Sequence, residues 1–187
     1  MANLPIKEIP LSKRGNFFLY ASLVFSFLIL IFGVYAYFHL PEKVAVHFGL
    51  NGQPDRFGNK TELLGISILF FVISFLFSLF VYKRYYLFEK FPYLINIPAF
   101  YIYAQKLNED RQSVWIAQYF EFLAILMFLV NLMLFIILYF IYLGALNSKL
   151  PYAFNFFLFP YIIFLLSFTF GYLFNMYKKI KKEAESI

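Results

Sequence analysis

Residues 40–60 read LPEKVAVHFGLNGQPDRFGNK, and this stretch separates two long apolar runs of the chain. It concentrates charge, glycine, proline and histidine, whereas the runs at residues 17–38 and 63–82 contain no charged residue. Each run is about 20 residues long, which is enough for a helix to cross ~30 Å of hydrocarbon. The sequence therefore predicts two membrane spans joined by a polar loop.

Two further apolar segments, at about residues 115–146 and 152–177, complete the predicted architecture. We expect a single all-α integral membrane domain over residues 1–187, with four transmembrane helices. The composition of 63% hydrophobic and 14% charged residues agrees, because soluble domains carry about 25% charged residues. The basic residues lie at the edges of apolar segments, so membrane lipids are the expected partners and nucleic acid is not.

The positions of lysine and arginine predict the orientation of the spans. Most lie in the leader of residues 1–15, in the connector of residues 83–114, and in the tail after residue 177. The positive-inside rule then puts both termini in the cytoplasm of a multi-pass plasma-membrane protein, and residues 40–60 outside. The loops on that outer side carry only Lys43, Arg56, Lys60 and Lys149.

The third helix is predicted to begin before the membrane. Asn108 is followed by Glu109 and Asp110, the pattern of an N-cap with acidic residues in the first helical turn. Trp115 is the expected interfacial anchor where this helix enters the bilayer. In the fourth span, Pro160 predicts a kink.

Small and polar residues recur on one face of each span, at helical spacings of four, seven and eleven positions. In lipid such stripes mark helix–helix contacts, because small residues let backbones approach and polar ones hydrogen-bond across the seam. We therefore expect one compact four-helix bundle. The stripes are Ser22, Ser26 and Gly33; Ser67, Ser74 and Ser78; Ala117, Glu121, Ala124 and Asn131; and Pro160, Ser167, Gly171 and Asn175.

Two polar residues of the third span are candidate functional groups. Glu121 is an ionisable residue inside a span, which favours a proton-relay or substrate site. The alternative is a shallow position near Trp115, where Glu121 pairs with Arg111 or stays hydrated. Asn131, near mid-span, is expected to hydrogen-bond between helices.

The loop of residues 40–60 has the pattern of a hairpin. Alternating residues in the segment 44–48 predict a short strand, and Asn51-Gly52 predicts a tight turn. This geometry would bring His47 and Asp55 face to face. They would suit an acid–base pair or, with His39 as a third ligand, a metal site.

A purely structural interpretation of the same residues is also open. In it, Asp55 caps the turn or pairs with Lys60, while His47 hydrogen-bonds the loop backbone. The absence of cysteine excludes disulfides and thiol chemistry. We expect no cofactor.

The spaced residues of the 40–60 loop resemble a prokaryotic membrane domain of unknown function. The connector sequence from Phe91-Pro92 to Asn96-Ile97-Pro98 resembles the same family. That domain also forms the N-terminal part of SdpI-type immunity proteins. The resemblance implies the fold and the membrane placement, without an established enzymatic activity. This chain has Ala45 where members often carry proline, and it ends after four spans where SdpI continues. The motif residues are Pro41, His47, Gly52, Pro54, Asp55, Phe57, Gly58 and Lys60.

These observations predict a protein that is not an enzyme. We expect a binding or sensing module that uses the outer loop as its recognition surface. One alternative is an accessory subunit of a larger membrane complex or a homo-oligomer. A second alternative is a small transporter that uses Glu121.

Overall fold

The computed structural model of the protein describes residues 7–49, 51–91 and 102–187. These residues are predominantly helical, and four of the helices are long and apolar enough to cross a membrane. The leader residues 1–6 and the connector prolines Pro92 and Pro98 lie outside the described residues. The elements in order are α1 (Lys13–His39), β1 (Lys43–Phe48), β2 (Pro54–Asn59), α2 (Thr61–Tyr82), α3 (Arg84–Lys90), a 3-10 helix (Ala104–Lys106), α4 (Glu109–Asn147) and α5 (Ala153–Glu185).

The helices α4 and α5 are longer than the bilayer requires. The side chain of Asn108 accepts a hydrogen bond from the Arg111 amide at 3.0 Å and so caps α4, which begins before Trp115 as predicted. With 39 residues α4 is about 58 Å long, and with 33 residues α5 is about 50 Å long, against ~30 Å of hydrocarbon. Helix α5 continues beyond the predicted span, through the lysine-rich tail to Glu185.

Helices α1, α2 and α4 form the closely packed core through their small and polar residues. A Cβ atom added to Gly33 would lie 2.2 Å from the Ser67 Cβ, so α1 and α2 touch at their backbones there. The Ser74 hydroxyl donates to the Asn131 side-chain oxygen, and the Asn131 amide donates to the Ser22 carbonyl at 3.0 Å. Asn131 thus makes the interhelical hydrogen bonds that its mid-span position predicts.

Helix α5 lies outside this core, and the prediction for its stripe is wrong. Gly171 meets no atom within 4 Å of an added Cβ, whereas the contact with α4 uses large side chains. The Phe122 and Tyr172 rings stack with centroids 4.7 Å apart, and the Tyr161 hydroxyl donates to the Leu129 carbonyl at 2.9 Å. The stripe residues that face outward are Pro160, Ser167, Gly171 and Asn175.

Strands β1 and β2 form an antiparallel hairpin between α1 and α2. The pairing runs from Lys43 with Asn59 to Phe48 with Pro54, and it is irregular on both sides of His47. Val44 and Ala45 of β1 are buried, at 2% and 1% exposure, and Val44 packs with residues of α1, α2 and α4. The hairpin therefore sits as a cap on one end of the helices, which we call the hairpin end.

Candidate functional site

The tip of the hairpin is fastened to the turn between α4 and α5. Gly52 has φ +74°, and its carbonyl accepts a hydrogen bond from the Leu150 amide at 2.9 Å. A Cβ added to Gly144 would lie 2.8 Å from the Phe48 ring. Phe48 can therefore pack on α4 only because residue 144 is glycine. The turn at Gly52 suits glycine because other residues rarely adopt positive φ.

The base of the hairpin is held by the Lys60 ammonium, whose side chain is only 14% exposed. Its Nζ lies 3.0 Å from a Glu42 carboxylate oxygen, 3.4 Å from the Leu40 carbonyl oxygen and 4.8 Å from the Tyr37 ring centroid. This hydrogen bond from Lys60 holds the pKa of the Glu42 carboxyl below its usual value. Lys60 thus joins the end of α1 to the start of α2, and the predicted pair of Lys60 with Asp55 is wrong.

A second ion pair joins β2 to the first turn of α2. The Arg56 guanidinium donates to both Glu62 carboxylate oxygens, at 3.2 and 2.7 Å. A Cβ added to Gly58 would lie 2.0 Å from Glu62 Oε1, so the glycine provides the space in which Glu62 reaches Arg56. Sequence reasoning missed this pair, although a basic and an acidic residue flanking a strand–helix junction are a usable signal.

His47 and Asp55 face each other across the two strands, as the hairpin pattern predicts. The His47 Nδ1 and an Asp55 carboxylate oxygen are 2.5 Å apart. Their side chains are 64% and 50% exposed, so water screens the interaction and the pair adds little to stability. Both groups are consequently available to an external ligand.

The predicted three-ligand metal site is not assembled. His39 lies at the end of α1, where its Nδ1 is 2.8 Å from the Tyr35 carbonyl oxygen and its ring stacks on the Tyr35 ring. Within residues 7–49, 51–91 and 102–187, no three His, Cys, Asp or Glu side chains are grouped so that they could hold a metal ion. His47 and Asp55 are therefore a pair without a third ligand in the described part of the chain.

The motif residues divide into two sets. Gly52, Gly58 and Lys60 shape the hairpin and fasten it, while Pro41 follows α1 and Pro54 starts β2. The other set exposes its side chains to solvent, and its aromatic member is 49% exposed. We call this set the hairpin surface; it consists of His47, Asp55 and Phe57.

Glu121 lies at the end of its span that is opposite the hairpin. Its carboxylate accepts a hydrogen bond from the Ser12 hydroxyl at 2.5 Å, and the Arg14 Nε lies 3.8 Å away. The predicted pair with Arg111 is wrong, because Arg111 pairs with Glu183 of α5. Glu121 therefore ties the start of α1 to α4.

Comparison with known proteins places the hairpin within a matched domain. A family model described as a domain of unknown function, DUF1648, matches residues 24–71, which include the whole hairpin. An uncharacterized protein of Archaeoglobus fulgidus is 33% identical over 149 residues, which are 80% of this chain and 81% of that protein. No solved structure matches the chain.

Proposed function

Since this chain belongs to the family of the uncharacterized archaeal protein and carries a DUF1648 domain, we propose that it is a non-enzymatic binding or sensing module of the membrane. The recognition element is the hairpin surface. One observation carries the proposal: the fastened hairpin leaves His47, Asp55 and Phe57 exposed. A simple connection between two helices requires no such surface.

The rigidity of the hairpin supports recognition because a ligand then loses less binding energy to ordering the loop. The tip, the base and the β2–α2 junction are each held by a separate contact. An imidazole, a carboxylate and an aromatic ring within one hairpin offer hydrogen bonds of both kinds and an apolar contact. This set suits a polar ligand or a protein loop.

The proposal includes an orientation, with both termini in the cytoplasm of the plasma membrane and the hairpin outside. Its support is the excess of lysine and arginine at the opposite end of the helices. The chain has no cysteine, so single cysteines report position cleanly. In intact cells, a membrane-impermeant maleimide should label Gln53→Cys and leave Lys179→Cys unlabelled, and the reverse pattern would overturn the orientation.

Photo-crosslinking tests the recognition role. A photoreactive phenylalanine analogue at Phe57 should form a defined adduct in native membranes, and the double variant His47→Ala/Asp55→Ala should lose it. The matched control is Lys43→Ala/Gln53→Ala, which changes two exposed hairpin residues whose side chains make no hydrogen bond to any described residue. If the adduct forms equally in His47→Ala/Asp55→Ala and in the control, the hairpin has only a structural role.

An accessory subunit or homo-oligomer is the second candidate, and α5 favours it. No residue in the most apolar 18-residue window of α5 is buried, whereas 22–28% of the residues in the corresponding windows of the other three helices are buried. Native mass spectrometry of gently extracted protein would detect a stoichiometric second subunit, and Gly171→Leu should release it. A lone chain in both samples would exclude this candidate.

Two other expectations gain no support from the geometry. A transporter that uses Glu121 needs this group along a pathway, yet its carboxylate is engaged by Ser12 and Arg14 at the start of α1. The relation to SdpI-type immunity proteins stays a proposal based on the loop motif. Protection of cells by the expressed chain against a membrane-active toxin would test it.

A further inference from the structure

A shallow, open cavity of about 440 Å³ lies between α4 and α5 at the end opposite the hairpin. It occurs where the first turns of α4 meet the last turns of α5. Spacings of three and four place the contributing residues on one face of each helix. The cavity is lined by Arg111, Trp115 and Gln118 of α4 and by Lys179, Lys182, Glu183 and Ser186 of α5.

The single carboxylate of the cavity is already engaged by α4. Glu183 accepts hydrogen bonds from the Arg111 guanidinium through both carboxylate oxygens, and one of them also accepts from the Trp115 indole N–H at 3.0 Å. These contacts fix the wall of the cavity. Within the described residues Glu183 makes no ion pair with a lysine of its own helix.

Lys179 and Lys182 are the uncompensated charges of the cavity. In the described part of the chain neither makes an ion pair or a hydrogen bond, and both are exposed. Their neighbours differ, since Lys181 pairs with Glu185 and Lys178 lies over the Phe174 ring. With Arg111 balanced by Glu183, the cavity therefore carries two free positive charges.

The position of the cavity along α5 favours a site at the headgroup level. Lys179 and Lys182 directly follow the apolar run that ends near residue 177, where basic residues are suited to meet lipid headgroups. About two turns further along α4, Phe122 stacks on Tyr172, which lies on the same side of α5 as Lys179. A ligand here has a cationic cavity at one end and an apolar aromatic surface at the other.

We propose that this cavity binds the headgroup of an anionic phospholipid. The phosphate is held by Lys179 and Lys182, the Gln118 amide donates to headgroup oxygens, and the acyl chains lie along the aromatic surface between α4 and α5. Basic pockets between transmembrane helices are suited to anionic headgroups. The lipid would then brace α5, which otherwise contacts mainly α4.

Native mass spectrometry of delipidated protein in detergent tests the proposal. We expect one phosphatidylglycerol per chain, bound about tenfold more tightly than phosphatidylcholine with the same acyl chains. Lys179→Gln/Lys182→Gln should lower the phosphatidylglycerol affinity by about tenfold or more. The matched control, Lys178→Gln/Lys181→Gln, removes the same charge from the same helical turns and should change the affinity by less than about twofold.

A second variant separates the cavity from a diffuse basic surface. Gln118→Trp fills the cavity without changing any charge and should weaken phosphatidylglycerol binding while the helical circular dichroism stays unchanged. Equal losses in the two lysine pairs, or no loss with Gln118→Trp, would overturn the proposed site. Equal binding of phosphatidylcholine, or full displacement by millimolar inorganic phosphate, would overturn the assignment to an anionic lipid.

Discussion

Replacing Gly58 by alanine should loosen the hairpin. The added Cβ would lie 2.0 Å from a Glu62 carboxylate oxygen and 2.9 Å from the Val46 side chain. Glu62 then has to leave Arg56, and losing this partly exposed ion pair costs about 0.5–1 kcal/mol. Crowding against Val46 adds about 1–2 kcal/mol. We expect the free energy of hairpin opening to fall by about 2 kcal/mol.

Hydrogen–deuterium exchange of the β1 amides in detergent micelles measures this opening. A loss of about 2 kcal/mol corresponds to about 30-fold faster exchange, provided that opening and closing are fast. Amides in the middle of α1 should keep their rates and serve as the internal control. The protein fold is then known to be intact while the hairpin opens more often.

A double-mutant cycle with Glu62→Ala tests the stated cause. Without the Glu62 carboxylate, the alanine at position 58 meets only Val46, so its cost should fall from about 2 to about 1 kcal/mol. The coupling of about 1 kcal/mol identifies Glu62 as the displaced group. If Gly58→Ala costs the same in both backgrounds, the argument from the Glu62 position is refuted.

Three other substitutions or conditions have expected outcomes. Lys60 lowers the pKa of the Glu42 carboxyl from its ordinary value of 4.5, so the ion pair stabilises the fold fully at pH values above 4.5. This stabilisation is lost as the pH falls through the lowered pKa, and thermal unfolding at a series of acidic pH values should show the loss. Asn131→Leu should destabilise the protein by about 1 kcal/mol, because its bonds to α1 and α2 are lost; titration with a denaturing detergent measures it. Gly171→Leu should leave monomer unfolding unchanged, since nothing lies within 4 Å of its added Cβ.

Each of these results has a control. Lys60→Met should remove the acid dependence assigned to Glu42, and an unchanged pH profile would contradict that assignment. Ser78→Ala removes a bond that stays within one helix, so it should cost less than Asn131→Leu. A Gly171→Leu monomer that unfolds more easily would contradict the outward position of the α5 stripe.

Features that depend on residues close in sequence were predictable. The hairpin turn at Gly52 and the pairing of His47 with Asp55 follow from spacings of a few residues. The start of α4 follows from Asn108, whose side chain caps the helix three residues later. These three features depend on local backbone geometry, which the amino-acid types of a short segment largely determine.

Ion-pair partners were not predictable in the same way. Glu121 and Arg111 belong to one helix, but ten residues separate them by about 15 Å along its axis, so they cannot form a direct pair. Glu121 instead meets Ser12, and Arg111 meets Glu183, across 109 and 72 residues of sequence. A charged side chain takes the nearest partner in space, and helix packing decides which one that is.

The α5 stripe shows why periodicity identifies a packing face without identifying its partner. Lipid is as apolar as leucine, so a seam of small residues gains the same contacts within one chain or between two chains. Inside this chain, Asn131 uses its amide nitrogen for α1 and its oxygen for α2, and Gly33 is filled by Ser67. Among the described residues the core seam has no place left for Gly171, and this leaves the α5 stripe available to the partner helix that we propose.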